Sequence, residues 1–290
     1  MKNIFVILFA TAFIYFGCGD PSVNIEEIKY EPKIVVDGYI YPGEPVKSIW
    51  LMRNFELNQP VDSNDIYLNP ESNQLQAKIN NIPLSYDPAT KSFYTNDLQI
   101  NFGQTYRLVV DAVIDGVSLH TQIETTTPQE GFDLIKNNLG EFMYRRDPIK
   151  LNFHPSPGTG FYAFSIRAED ATQSNFIFDN PFFPNIDSTD LADKFNQYKF
   201  QYNLLLNVNG TVQDTITYDV LGLDTWFYGN YKVIVYAGDT NMKDYIITAS
   251  NVQSFDGNFK EPVVHFTGNG IGVFGSAIRD TVTFTLLPRN

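Results

Sequence analysis

Thr105 to Thr125 reads TYRLVVDAVIDGVSLHTQIET, two runs in which apolar and polar residues largely alternate, joined by Asp115-Gly116. A period of two belongs to a strand with one buried face, because successive side chains point to opposite sides of a sheet. Asp-Gly tolerates the positive φ angles of a two-residue turn whose twist matches the flanking strands. The stretch therefore predicts a β-hairpin, and the rest of the chain repeats its pattern.

Toward the N-terminus, Lys33 to Ile40 (KIVVDGYI) and Val46 to Asn54 (VKSIWLMRN) are predicted strands on either side of Tyr41-Pro42-Gly43, followed by a long polar loop, Phe55 to Ser72. Leu75 to Ile79 and Pro83 to Tyr86 flank Asn80-Asn81, a second hairpin turn, and Ser92 to Thr95 adds a short strand. Phe102-Gly103-Gln104-Thr105-Tyr106 resembles the tyrosine corner of immunoglobulin-like sandwiches, in which a Tyr near a strand start ties the corner down. A plain buried tyrosine is the competing reading. Thr125 to Pro128 (TTTP) breaks the pattern and is taken as a domain boundary. Beyond it, predicted strands cover Phe132–Lys136, Ile149–His154, Gly160–Glu169, Phe200–Val208, Thr211–Tyr218, Tyr231–Tyr236, Asp244–Ala249, Val263–Phe266 and Thr281–Leu287. Asn209-Gly210 between two of them is the strongest hairpin signal of the chain. Ser188 to Tyr198 (STDLADKFNQY) is the one helix expected after the N-terminal segment, with Ser188 as its cap. The fold class expected is all-β: an immunoglobulin-like β-sandwich over 30–128 and a second β-sandwich domain over 129–290.

Met1 to Cys18 (MKNIFVILFATAFIYFGC) places Lys2 before an apolar run, then Gly17 and the only cysteine. This is the layout of a signal peptide over 1–17, and the run is shorter than the roughly 20 apolar residues that cross a bilayer. A small residue before a lone cysteine resembles the lipobox of bacterial lipoproteins, which would make Cys18 the lipid-bearing first residue. An ordinary cleaved signal with a free cysteine is the alternative. Residues 18–29 then form a tether. One cysteine excludes internal disulfides, so stability must come from packing, for which 24 Phe and 17 Tyr supply large rings. A formal net charge of −13 repels a phosphate backbone, and no nucleic-acid partner is expected.

Candidate contact residues are Phe176, Phe178, Phe182 and Phe183 in FIFDNPFFPN, a proline-broken segment unsuited to a central strand. Exposed, the rings would form a stacking surface for a sugar or a protein; folded back, which is the favoured reading, they cap the core. Asp187, Asp190 and Asp193 are spaced for a weak calcium site or, more simply, for the solvated start of a helix. His120, His154 and His265 lack metal-ligand spacing and are read as structural. Gly270, Gly272 and Gly275 in NGIGVFGS permit a tight bend or a close backbone approach; without a following helix they do not make a dinucleotide site. No catalytic motif is present, so no cofactor and no enzymatic activity are expected.

Cys18, the opening strand YEPKIVVDGYI (Tyr30 to Ile40), FYGNYKVIVY (Phe227 to Tyr236), Asp244-Tyr245 and the closing GIGVFG (Gly270 to Gly275) together resemble the uncharacterised Bacteroidota lipoproteins of domain-of-unknown-function family 4249. The chain departs at His265-Phe266, where members often carry Asn-Ile. The resemblance implies an outer-membrane lipoprotein accompanying TonB-dependent receptors, with no catalytic residue to carry over. The function expected is a lipid-anchored binding or accessory module at the outer membrane. A structural or adhesive envelope protein is the alternative, and a glycan hydrolase on a β scaffold comes third.

Overall fold

The computed structural model describes residues 30–56, 59–145, 148–180, 195–206, 214–249 and 262–289. The strands of these residues are β1 (Ile34–Ile40), β2 (Pro45–Arg53), β3 (Gln76–Ile79), β4 (Ile82–Pro83), β5 (Ser85–Asp87), β6 (Ser92–Gln99), β7 (Thr105–Ile114), β8 (Val117–Thr126), β9 (Asp133–Leu134), β10 (Asn138–Met143), β11 (Ile149–His154), β12 (Phe161–Ala168), β13 (Phe200–Leu206), β14 (Ile216–Val220), β15 (Gly229–Gly238), β16 (Thr267–Gly268) and β17 (Gly270–Leu287). A helix, α1, spans Thr240–Ala249.

The fold is all-β, with two sandwiches that share one sheet. That sheet has nine strands in the order β13-β12-β15-β17-β1-β2-β6-β5, with β10 also on β17. Its β1–β2–β6–β5 end faces the sheet β16-β8-β7-β3-β4, and its other end faces β14-β11-β9. Between the first pair lies a core that includes Ile34, Val36, Leu51, Phe93, Leu108, Val110 and Ile123. Between the second lies one that includes Leu151, Phe153, Phe164, Val233, Val235 and Phe284. All members of the first core precede Pro128 except Phe274, which β17 supplies; all members of the second follow it. Pro32–Asn290 is accordingly one compact unit. The other unit, Met1–Glu31, lies outside the described residues except at Tyr30 and Glu31.

β17 is the spine of the shared sheet. Its first residues run parallel to β1, from Ile34↔Gly270 to Ile40↔Ser276, and its remainder runs antiparallel to β15, from Gly238↔Ala277 to Gly229↔Leu286. Inward residues alternate along it, Phe274 into the first core and Val282, Phe284 and Leu286 into the second.

Both turns expected from the sequence in the first sandwich close hairpins. Asp115 and Gly116 take φ of 52° and 77° between Ile114↔Val117, and Asn80 and Asn81 take 48° and 69° between Ile79↔Ile82. Tyr106 ties its corner: its hydroxyl accepts from the Asn101 amide at 2.7 Å and donates to the Gln99 carbonyl at 3.3 Å. A second such corner, not anticipated, is made by Tyr231, whose hydroxyl accepts from the Trp226 and Phe227 amides and donates to the Phe227 carbonyl.

Three expectations need correction. Phe200–Val208 and Thr211–Tyr218 do not form a hairpin: β13 pairs with β12, whereas β14 pairs with β11 in the opposite sheet. β14 thereby brings Ile216 and Val220 onto the second core from the far side. The turn itself, within 207–213, lies outside the described residues. Asp244–Ala249 is not a strand but the latter part of α1. Its Tyr-Ile-Ile-Thr run favours a strand locally, yet Met242 and Ile246, one helical turn apart, pack on Phe161, Ala163 and Ala277. The predicted strand Val263–Phe266 also fails, since pairing begins only at Thr267. The helix expected over Ser188–Tyr198 falls largely outside the described residues; 195–199 are helical.

Candidate functional site

The shared sheet has one face on the two cores and one face turned away from them. Strand alternation and pairing register decide what that outer face carries. In β1 it presents Asp37 and Tyr39, and Tyr41 follows directly; in β15, Lys232, Ile234 and Tyr236; in β17, Ala277, Arg279, Thr281 and Thr283. In β12 and β13 the paired residues Ser165↔Tyr202 and Arg167↔Phe200 continue it. Phe200 and Tyr202 are each 48% exposed, far above the usual burial of such rings.

α1 lies across this face over β12, β15 and β17. Met242 packs with Phe161, Ala163 and Ala277, and Tyr39, Tyr41, Leu204, Tyr236 and Ile246 close around that floor. Two glycines allow the arrangement. A Cβ on Gly238 would meet Met242 Sδ and the Phe161 ring at 2.8 Å, and one on Gly275 would meet the Tyr39 ring at 3.1 Å and the Met242 amide at 3.2 Å. Asp239 fixes the start of the helix: its Oδ1 accepts from the Met242 amide at 2.9 Å and the Ser276 amide at 3.1 Å, and its other oxygen accepts from Thr125. Asn241 donates to the carbonyls of Glu124 and Phe274 at 2.7 and 2.9 Å, which ties α1 to both β8 and β17.

Burial first, and then the neighbouring phenols, set the electrostatics. Tyr39 is held well above the ordinary phenol value by burial, reinforced by Asp37, Tyr202, Tyr245 and Tyr41. Tyr41 is pushed up to about 12 by burial and Tyr236, against the opposing Arg279. Tyr202 rises through burial, Tyr236 and Tyr41. These hydroxyls therefore remain protonated donors at physiological pH. The Arg279 guanidinium lies 4.0 Å over the Tyr41 ring and makes a two-pronged contact with Glu44 at 2.9 and 2.6 Å. Arg167 stands 5.2 Å over the Phe200 ring and 3.1 Å from Glu169.

Among the described residues, those singled out in the sequence lie elsewhere, apart from Gly275. Phe176 is buried in the second core beside Tyr198, Trp226 and Phe227, with ring centroids 5.3 to 6.0 Å away; Phe178 is 46% exposed and meets it edge-on at 4.9 Å. Cys18, Phe182, Phe183, Asp187, Asp190 and Asp193 lie outside the described residues. Gly272 has φ of 98°, and a Cβ there would sit 2.1 Å from the Val36 carbonyl; one on Gly270 would sit 2.1 Å from Thr121 Oγ1. Each histidine meets one aspartate: His120 with Asp111 at 2.7 Å, His154 with Asp133 and His265 with Asp244, both at 3.0 Å. Among the described residues no group of three or more His, Cys, Asp or Glu could hold a metal ion. A surface hollow of about 320 Å³ lined by Asn80, Asn81, Thr105, Arg107, Val109 and Glu124 is spanned by the Arg107–Glu124 ion pair. The tyrosine face went unnoticed in the sequence because its members come from β1, β13, β15 and α1. The signal available was local alternation, Tyr39-x-Tyr41 and Phe200-x-Tyr202, which names a face without joining the strands.

A pair of β-sandwiches built on a common sheet, with a helix laid on its outer side, defines the class of protein. The chain belongs to the family described as Domain of unknown function (DUF4249), whose model matches residues 21–281. No curated protein matches it. Among solved structures, the chain is similar to the titin domains z1z2 in complex with telethonin, at 10% identity and TM-score 0.22, covering 90% of this chain and 98% of that one. Domains 4 and 5 of the S-layer protein SbsC match at 10% identity and TM-score 0.20, over 89% and 98%. A SusE-like surface located polysaccharide binding protein from the Bacteroides thetaiotaomicron heparin utilisation locus matches at 10% identity and TM-score 0.20, over 86% and 88%. The likeness carries no function with it.

Proposed function

We propose that this chain is a non-enzymatic binding module, held at the outer membrane by lipid on Cys18, and that the tyrosine face is the surface it presents. The observation that carries the reading is the exposure of Phe200 and Tyr202 beside Tyr39, Tyr41 and Tyr236 on a rigid sheet, since aromatic rings left open on a preformed surface are typical anchors for a partner. In its finer form, supported by the resemblance of the two ends of the chain, the module is an accessory to a TonB-dependent receptor.

A photo-reactive phenylalanine analogue at position 202, with a control at exposed Val117 on the β7–β8 hairpin, tests the face in cells that make the protein. An adduct at 202 and none at 117 is expected. Equal labelling at both positions would reject the face as the binding surface. For the anchor, Cys18→Ser should release the protein from membranes and abolish fatty-acid labelling. Unchanged retention would reject the lipid.

A further inference from the structure

We infer that the tyrosine face takes an uncharged oligosaccharide, an assignment that rests on the binding reading above. The rings are of the type that suits such a ligand. Tyr202, 48% exposed, offers an open apolar face to sugar C–H groups, while Tyr39, Tyr41 and Tyr236, half-buried around Met242 and, for Tyr41, beneath Arg279, add hydroxyls kept protonated for sugar oxygens. Their placement suits a chain more than a single sugar: Tyr202 on β13 stands in the row of Ser165 and Ile234, Tyr236 lies two strands over and two residues along, roughly 12 Å away at the usual strand spacings, and Tyr39 on β1 lies four residues beyond the row of Tyr236. Beside Tyr202 the open part of the sheet presents Ser165, Thr281 and Thr283 with Ile234 among them, so hydroxyls and one aliphatic side chain form the floor next to its ring.

Charge excludes the rival occupants. Arg279 is held by Glu44 and Arg167 by Glu169, while Lys232 and Asp37 add one charge of each sign. The face is thus balanced on a chain whose formal net charge is −13. A polyanion or an anionic membrane would find its cations already engaged and the rest of the molecule repulsive. A second copy would bring a like charge against it. Against a protein partner docking directly over the rings, Lys232 and Asp37 stand among them, and Lys and Asp are depleted at the centres of protein interfaces; a receptor would then meet another part of the module. A neutral, hydroxyl-rich chain matches both the rings and the balance.

The full chain, in native gels cast with β-glucan, xylan, mannan or galactan and, separately, heparin or polygalacturonate, supplies the test. Retardation by at least one neutral polymer and by neither anionic one is expected. Calorimetry with a hexasaccharide of that polymer should then show Tyr202→Ala weakening binding at least about tenfold, with Tyr202→Phe intermediate and Val117→Ala unchanged. Thermal unfolding of each variant confirms that half-exposed Tyr202 is not needed for folding. No retardation by any neutral polymer, retardation by the anionic ones alone, or neutral binding undiminished in Tyr202→Ala would overturn the assignment. A protein adduct at position 202 without glycan retardation would overturn it too, while leaving the binding reading in place.

Discussion

At the scale of single residues, two glycines with positive φ separate conformational freedom from close approach. Gly43 has φ of 80° with nothing within 4 Å of a Cβ, so Gly43→Ala should cost about 1 kcal/mol, the penalty for a left-handed backbone alone. Gly272 has φ of 98° and the Val36 carbonyl 2.1 Å from the Cβ position, so Gly272→Ala must also push β17 off β1. A loss of about 3 kcal/mol or more is expected from urea denaturation; a cost equal to that at Gly43 would mean that the parallel pairing yields easily. The two tyrosine corners give a second comparison. Tyr106→Phe removes one amide's acceptor at a part-buried corner and should cost about 1 kcal/mol, whereas Tyr231→Phe removes the acceptor of two fully buried amides and should cost about 2–3 kcal/mol. Equal losses would show that solvent reaches both corners alike.

At the scale of elements, α1 is held by a carboxylate that the fold has buried. Asp239 lies above the ordinary carboxylate value of 3.8, chiefly through desolvation, and its hydrogen bonds from Thr125, Met242 and Ser276 only partly offset this. A carboxyl raised in the folded chain holds its proton more tightly there than when unfolded. Its contribution to stability is therefore greatest below 3.8 and falls as pH rises through the folded-state value. Asp239→Asn should remove that decline, read as the difference between the two proteins in urea titrations from pH 3 to 7; parallel curves would refute it. The same element shows where the sequence was legible. Asp115-Gly116 and Asn80-Asn81 could be read because both flanking strands lie in one sheet and the turn chemistry alone sets the geometry. Asn209-Gly210 looked equally clear, but β13 and β14 join different sheets, and that choice is made by cores whose members lie far along the chain. Tyr245-Ile246-Ile247-Thr248 likewise favours a strand until the Asp239 cap and the Phe161–Ala163–Ala277 floor become neighbours. In the aromatic segment Phe176 turns inward while Phe178 stands half exposed, which no local pattern distinguishes, and the tyrosine face exists only once β13, β15 and β1 are laid side by side.

At the scale of the whole molecule, the shared strand makes the two sandwiches one cooperative body. Phe274 fills the first core while Val282, Phe284 and Leu286 fill the second, so either half can be lost only by pulling on β17. The two tryptophans report on the halves separately. Trp50 lies on β2, its ring nitrogen donating to the Thr90 carbonyl at 3.4 Å, and Trp226 is buried in the second core. Trp50→Phe and Trp226→Phe each leave one reporter. Their fluorescence transitions in urea should coincide with each other and with circular dichroism, as a single cooperative unit requires. Residues 30–128 made alone lack the parallel partner of Ile34–Ile40 and the Phe274 ring, so this piece should show no cooperative transition at all. Two separated midpoints in the full chain, or a cooperative transition in the isolated piece, would mean that the first sandwich closes its core without β17 and that the spine joins two bodies already folded.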